Sequence, residues 1–189
     1  MKNTISAVGC FAVVYTKIND IYQVVLVRRK DGGYLELPGG GLDVALDIIP
    51  KTDPFESCVV REVDEESGIA LKQSNLFNRG ILIQRILIGT HSYCIGTVHL
   101  YSYLCPELID TEFKKNLKSF TSNESSEVKI VAVEEGFFEN KFISLAARRM
   151  IAIALNNVEA VDNTQVVQSA LSVAVWVETL GNIVFKKEV

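Results

Sequence analysis

Residues 61 to 69 read REVDEESGI and put five ionisable side chains into nine positions. A charge run of this kind is ordinarily a solvated helix face. Its spacing argues otherwise. At about 100° per helical residue, Glu66 lies about 40° to one side of Glu62 and Glu65 about 60° to the other, so the three share a face. Val59, Val60 and Val63 form the adjacent apolar stripe, and Asp64 points away from it. The glutamates therefore flank the edge of the helix that the core must cover. Like charges at i,i+4 cost a helix roughly 0.2–0.5 kcal/mol per pair, and only Arg61 is close enough to offset them. Carboxylate oxygens clustered without His or Cys suit a hard divalent cation, Mg²⁺ or Mn²⁺.

The elements that must carry these side chains are well punctuated. Asp53 is the expected N-cap of the acidic helix, with Pro54 in its first turn and Glu56 completing a D-x-x-E box. Gly68 is the expected left-handed stop, with Ile69 beyond it. Upstream, 5–15 and 22–29 are β-branched and aromatic runs about Asn19-Asp20, the pattern of a hairpin. A short strand at 34–37 stops at Pro38, and Gly39-Gly40-Gly41 follows. Residues 41–52 have no clear period and read as a loop beside the glycines, with room for some short structure of its own. Downstream, 80–88 and 93–104 read as paired strands, 110–127 as a polar loop, 128–133 as a strand and 141–156 as a helix. In the tail, helix over 164–171 and a terminal hairpin are the readings. The predicted fold class is α/β.

Arg61-Glu62-Val63-x-Glu65-Glu66-x-Gly68-Ile69 is similar to the second half of the Nudix box, G-x5-E-x7-R-E-U-x-E-E-x-G-U, where U is aliphatic. Leu37-Pro38-Gly39-Gly40 looks like that family's strand end and glycine pair. The resemblance covers roughly residues 5–157 and implies a Nudix-type α/β/α sandwich with a mixed sheet. Two departures stand out. Asp53 takes the place of the box's first acid, eight residues before the Arg, and twelve residues separate it from Gly40 where the family has five.

The resemblance implies a hydrolase that cleaves the pyrophosphate linkage of a nucleoside diphosphate derivative with Mg²⁺, or with Mn²⁺ as substitute. Glu62, Glu65 and Glu66 are then the metal ligands, joined by the Gly39 carbonyl, and Arg61 orients a box carboxylate. Glu62 and Glu124, the latter from the loop before the late strand, are both eligible as general base. Arg28, Arg29 and Arg85 are candidate phosphate clamps, with Gly40 beside the substrate. Tyr34, Phe77 and Tyr93 are candidates to stack on a base, and His91 and His99 are structural. The proline and tyrosine that mark ADP-ribose and dinucleoside polyphosphate hydrolases of the family are both missing, so the substrate stays open. A Nudix-fold regulator that binds nucleotide without turnover is the alternative.

Composition narrows the partners. A net charge of −4 disfavours nucleic acid as a partner. No apolar run approaches the length of a membrane span, and no signal-peptide pattern opens the chain, which reads as cytoplasmic. Cys10, Cys58, Cys94 and Cys105 lack metal spacing and read as reduced core residues. The expected division is a domain over 1–157 and an extension over 158–189. That extension is apolar enough to need cover, on its own domain or across a homodimer.

Overall fold

Val13, Tyr15, Val24 and Leu26 are buried in one hydrophobic cluster, and Ala12, Val14, Val25 and Val27 in another. Successive residues of a strand point to opposite faces, so these strands are covered on both sides. The computed structural model describes residues 7–30, 33–50, 52–88 and 92–156. The readings for the tail, the division at 157/158 and a homodimer through the extension lie outside them.

Strands β1 (Ala7–Ile18) and β2 (Ile21–Arg29) form the first hairpin. Asn19 and Asp20 turn it at φ 49° and 65°, the left-handed values a two-residue turn requires. The two helical layers are α2 (Pro54–Ser67) and α4 (Leu145–Asn156). Cys58, Val59 and Val63 of α2 pack in one cluster; Ala147, Met150, Ile151 and Leu155 of α4 pack in the other. The result is an α/β/α sandwich around a mixed seven-stranded sheet.

The order β3-β2-β1-β6-β5 runs through β3 (Leu35–Glu36), β5 (Leu76–Ile88) and β6 (Ser92–Leu104). Of its pairings only β1 with β6 is parallel. β4 (Gly39–Gly41) joins β1, and β7 (Ser125–Ala132) joins β2. The register shows a fork. Tyr15 to Ile18 of β1 pair with β2, whereas Gly9 to Phe11 pair with β4. On β2, Val27 and Arg28 pair with β3. Segment 35–41 thus enters where β1 and β2 diverge, as two short strands rather than one. No helix among the described residues is long and apolar enough to cross a membrane.

Two expected loops contain helices. Residues 110–127 include α3 (Thr111–Ser119), capped by the Asp110 carboxylate, which accepts from the Phe113 N–H at 2.7 Å. Only Phe113, Leu117 and Phe120 supply its apolar spacing, too sparse a signal against the flanking polar residues. Within 41–52 lies α1 (Val44–Asp47), a single turn capped by Asp43. This turn buries Asp47, whose carboxylate takes Arg61 in a two-pronged pair, Nε to Oδ1 at 2.8 Å and Nη2 to Oδ2 at 2.9 Å.

That pair corrects the reading of Asp53. Its carboxylate accepts from the Phe55 and Glu56 N–H groups and so caps α2. The acid that holds Arg61 is Asp47, five residues removed from Gly41, which is the spacing of the box. The insertion therefore lies after the acid, between Asp47 and Arg61, and not between the glycines and the acid.

The Arg61 guanidinium holds the Asp47 carboxyl below the usual carboxylate range. A depressed pKa contributes stability that is present above the unfolded value, near 4, and is lost as pH falls through the folded one. Asp47→Asn should cost about 2–3 kcal/mol in urea denaturation near pH 7, below the range for a fully isolated buried charge because Arg61 keeps its glutamate partners. The gap in Tm between wild type and variant should narrow on acidification below about pH 4.

Candidate active site

Helix α2 presents its acids as the spacing required. Val59 and Val63 are fully buried, Val60 is half-buried, and Asp64 is exposed. Glu62 and Glu66 are buried beside the valine stripe, while Glu65 stands half in solvent.

The fork in the sheet brings β4 against this face. The Gly39 N–H donates to Glu66 Oε2 at 2.9 Å. Gly39 has φ 149°, and a Cβ there would lie 2.3 Å from the Cys10 carbonyl oxygen. At Gly40 a Cβ would fall 2.2 Å from Glu62 Oε2. Both positions need glycine, the first for its backbone and its closeness to β1, the second because a carboxylate occupies the side-chain space.

Two arginines bind the acids together. Arg61 Nη1 lies 2.9 Å from Glu62 Oε1 and 3.0 Å from Glu65 Oε2, while Nη2 donates to the Gly41 carbonyl at 3.2 Å. Arg29 spans Glu66 at 3.7 Å and Glu124 at 3.6 Å. Glu124 therefore meets the acidic face through Arg29, from the stretch between α3 and β7. Burial pushes the Glu66 carboxyl up to about 7, against the opposing pull of the Gly39 N–H and Arg29. Burial also raises Glu62, with Arg61 working the other way.

The remaining candidates separate by position. Arg28 is held by Glu127 at 3.0 Å and donates to the Gly33 carbonyl, and Glu127 also takes Lys129 at 3.2 Å. Arg85 lies in β5 opposite Ile95; its side chain and that of Tyr93 fall outside the described part of the structure. His91 also lies outside the described residues. Tyr34 and Phe77 are exposed. His99 stacks on Phe55 at 3.6 Å, a packing role, and burial lowers its pKa. Cys10, Cys58 and Cys105 are free and buried. The member of this charged cluster missed in the sequence is Asp47, and the five-residue spacing from Gly41 was the signal for it.

The donor set fits a hard divalent cation by type, since Glu62, Glu65, Glu66 and Glu124 offer carboxylate oxygens only. Among the described residues, no three His, Cys, Asp or Glu side chains converge as a ready metal cage. Arg61 and Arg29 currently take up the oxygens that such an ion would share.

Comparison with known proteins identifies the family and the fold. The family model for the NUDIX domain matches residues 5–152. No curated protein matches the chain. Among solved structures, the NUDIX domain of Shewanella oneidensis NrtR, complexed with ADP ribose, is 16% identical with a TM-score of 0.58. That match covers 82% of this chain and 89% of the other. A bifunctional NMN adenylyltransferase/ADP ribose pyrophosphatase from Francisella tularensis, complexed with AMP and a Mn ion, is 20% identical with a TM-score of 0.53. It shares 82% of this chain but 43% of its own. A MutT/nudix family protein from Enterococcus faecalis is 16% identical with a TM-score of 0.51, over 71% of this chain and 47% of its own. At these identities the neighbours establish the fold alone, while the family model spans most of the sequence: the chain belongs to the Nudix family.

Proposed function

We propose that this protein is a Mg²⁺-dependent pyrophosphohydrolase acting on a nucleoside diphosphate derivative. The observation that carries the reading is the Gly39–Gly40 backbone lying against Glu62 and Glu66, with Glu65 and Glu124 tied to the same face through Arg61 and Arg29. Nudix proteins generally use divalent metals, and neighbouring folds are known with ADP ribose and with AMP and Mn. A bound divalent ion neutralises phosphate charge and lowers the pKa of a coordinated water.

The chain's own groups supply position. Asp47 fixes Arg61, and Arg61 fixes the carboxylates of Glu62 and Glu65. The Gly39 N–H orients Glu66 from the opposite side. The Gly39 carbonyl is a further ligand in this reading, and Gly40, whose missing side chain leaves room for the Glu62 carboxylate, lies beside the substrate. Glu124 and Glu62 are the groups able to take a proton from the attacking water. Arg28 is committed to Glu127, which leaves Arg29 as the better placed phosphate clamp of the two.

The second reading is a nucleotide-binding module without turnover. Retention of all three box glutamates favours catalysis over it. The two separate in one experiment: a panel of nucleotide substrates with Mg²⁺ or Mn²⁺, followed by phosphate or pyrophosphate release and, in parallel, by calorimetric binding. Binding across the panel without release would establish the module and overturn the hydrolase.

Glu65→Gln and Glu66→Gln should each remove most turnover at saturating Mg²⁺ while far-UV circular dichroism stays native. Near-wild-type rates in either variant would sink the metal assignment. Glu124→Gln should lower kcat by about tenfold or more, since general-base contributions typically run 10²–10⁴-fold. Glu127→Gln serves as its comparison, because that carboxylate is engaged with Arg28 and Lys129. A larger loss at Glu127 would reassign the loop's catalytic acid. Serine at Val44, Leu46, Ile48 and Ile49, all exposed beside the site, should change relative kcat/KM across the panel. Unchanged ratios would make this loop a passive spacer.

A further inference from the structure

The end of the sheet beside the acids carries two exposed aromatic rings, Tyr34 at 61% and Phe142 at 74%. One such ring on a surface needs no explanation, whereas contiguous apolar groups rimmed by charge mark ligand-binding grooves. These two are contiguous in the backbone. The Leu35 N–H donates to the Phe142 carbonyl at 2.7 Å, the Ser144 N–H donates to the Leu35 carbonyl at 2.9 Å, and Leu35 and Ile143 form a parallel bridge. Tyr34 and Phe142 are the residues just before that bridge, on chains roughly 5 Å apart. Among the described residues neither ring stacks on another.

The register sets this pair beside the acidic face. β2 and β3 pair Val27 with Glu36 and Arg28 with Leu35, so the next step along both strands brings Arg29 opposite Tyr34. Val25 and Val27 are buried with Cys58, Val59 and Val63 of α2. Arg29, two residues further on, keeps that side and reaches Glu66. Leu35 is buried in the other cluster, with α4, so alternation turns Tyr34 to the same side as Arg29. Arg29, Tyr34 and Phe142 thus follow one another across three neighbouring chain segments, leading away from Glu66. Phe77, also exposed, lies in β5 at the opposite end of the strand order.

The backbone before Tyr34 is held in place. The Gly33 carbonyl accepts from the Arg28 guanidinium, and Arg28 is fastened to Glu127 at 3.0 Å. Arg28 is therefore a positioning residue for the ring, while its neighbour Arg29 faces the acids.

We propose that Tyr34 and Phe142 form the platform on which the base of the substrate stacks, with Arg29 between that platform and the diphosphate. The proposal rests on the reading of the acidic face as a diphosphate site. Every base has a π-face, so stacking of this kind is tolerant of which base it meets. The platform selects a nucleoside diphosphate derivative against a diphosphate that lacks a base, and separates one base from another only weakly.

Calorimetry in the presence of Mg²⁺ tests this with two non-hydrolysable probes, α,β-methylene-ADP and the base-free methylenediphosphonate. The wild type should bind the nucleotide about tenfold or more tighter. Tyr34→Ser and Phe142→Ser should each weaken nucleotide binding about fivefold or more, the loss expected for one stacking ring, and leave methylenediphosphonate binding unchanged. Tyr34→Phe should keep the wild-type affinity, because the ring remains. Both side chains are exposed, so the serine variants should melt with the wild type. Equal affinity for the two probes in the wild type would overturn the platform, as would serine variants that weaken both probes alike or neither. Ring-dependent nucleotide binding without phosphate release from any substrate would overturn the hydrolase and leave the platform standing. Equal turnover of diphosphates with and without a base would do the reverse.

Discussion

The site depends on how closely a backbone can approach a helix that carries buried carboxylates. β4 passes α2 at a distance that leaves no room for a side chain: the Cβ position of Gly40 is taken by the Glu62 carboxylate, and the Gly39 N–H bonds to Glu66. Neither contact would exist if β1 and β2 stayed paired along their length. The fork admits segment 35–41, the Pro38 carbonyl accepts from the Ala12 N–H at 3.2 Å, and the two glycines are delivered to the acids. The sheet's irregularity is thus the condition for this contact between the glycines and the acids.

Legibility followed the range of the interactions. α2 could be placed from sequence because its signals are local: Asp53 caps within three residues, Pro54 opens the first turn, and Gly68 closes it at φ 71°. The acidic face followed from helical geometry alone. Asp47 escaped because it acts across fourteen residues, through a one-turn helix too short for any periodic signal. Counting back from Arg61 reached Asp53, since the insertion displaced the true partner; counting forward from Gly41 reaches Asp47. Likewise α3 has few apolar residues because it covers the sheet's side with little more than Leu117.

Glu124 shows the converse. Nothing local in TSNESSE distinguishes one glutamate from the other, yet the two have separate partners. The ladder between β2 and β7 shifts register between Arg28 and Arg29, so consecutive arginines meet different acids. Arg28 takes Glu127 on the strand, and Arg29 takes Glu124 just before it, at the face shared with Glu66. The Lys30 N–H, donating to the Glu124 carbonyl at 2.8 Å, fixes that backbone where the strand begins. A ladder irregularity of this kind re-aims side chains without moving the sheet.

The charge balance explains why so many acids are tolerated. Asp47, Glu62, Glu65, Glu66 and Glu124 face Arg29 and Arg61, which leaves three formal negative charges uncompensated in one small region. The whole chain carries a formal charge of −4, so most of its imbalance is concentrated here. Part of the cost shows in the carboxyl of Glu66, which burial pushes up to about 7. A core that needed only packing would have replaced these side chains with leucine or alanine, which cost no desolvation and no repulsion. Arg61 is anchored through Asp47 at 2.8 Å, while Arg29, at the end of β2 and nearly half exposed, holds Glu66 and Glu124 at the longer distances of 3.7 and 3.6 Å. The arrangement therefore holds a standing excess of negative charge against a closely paired cation on one side and a more loosely paired one on the other.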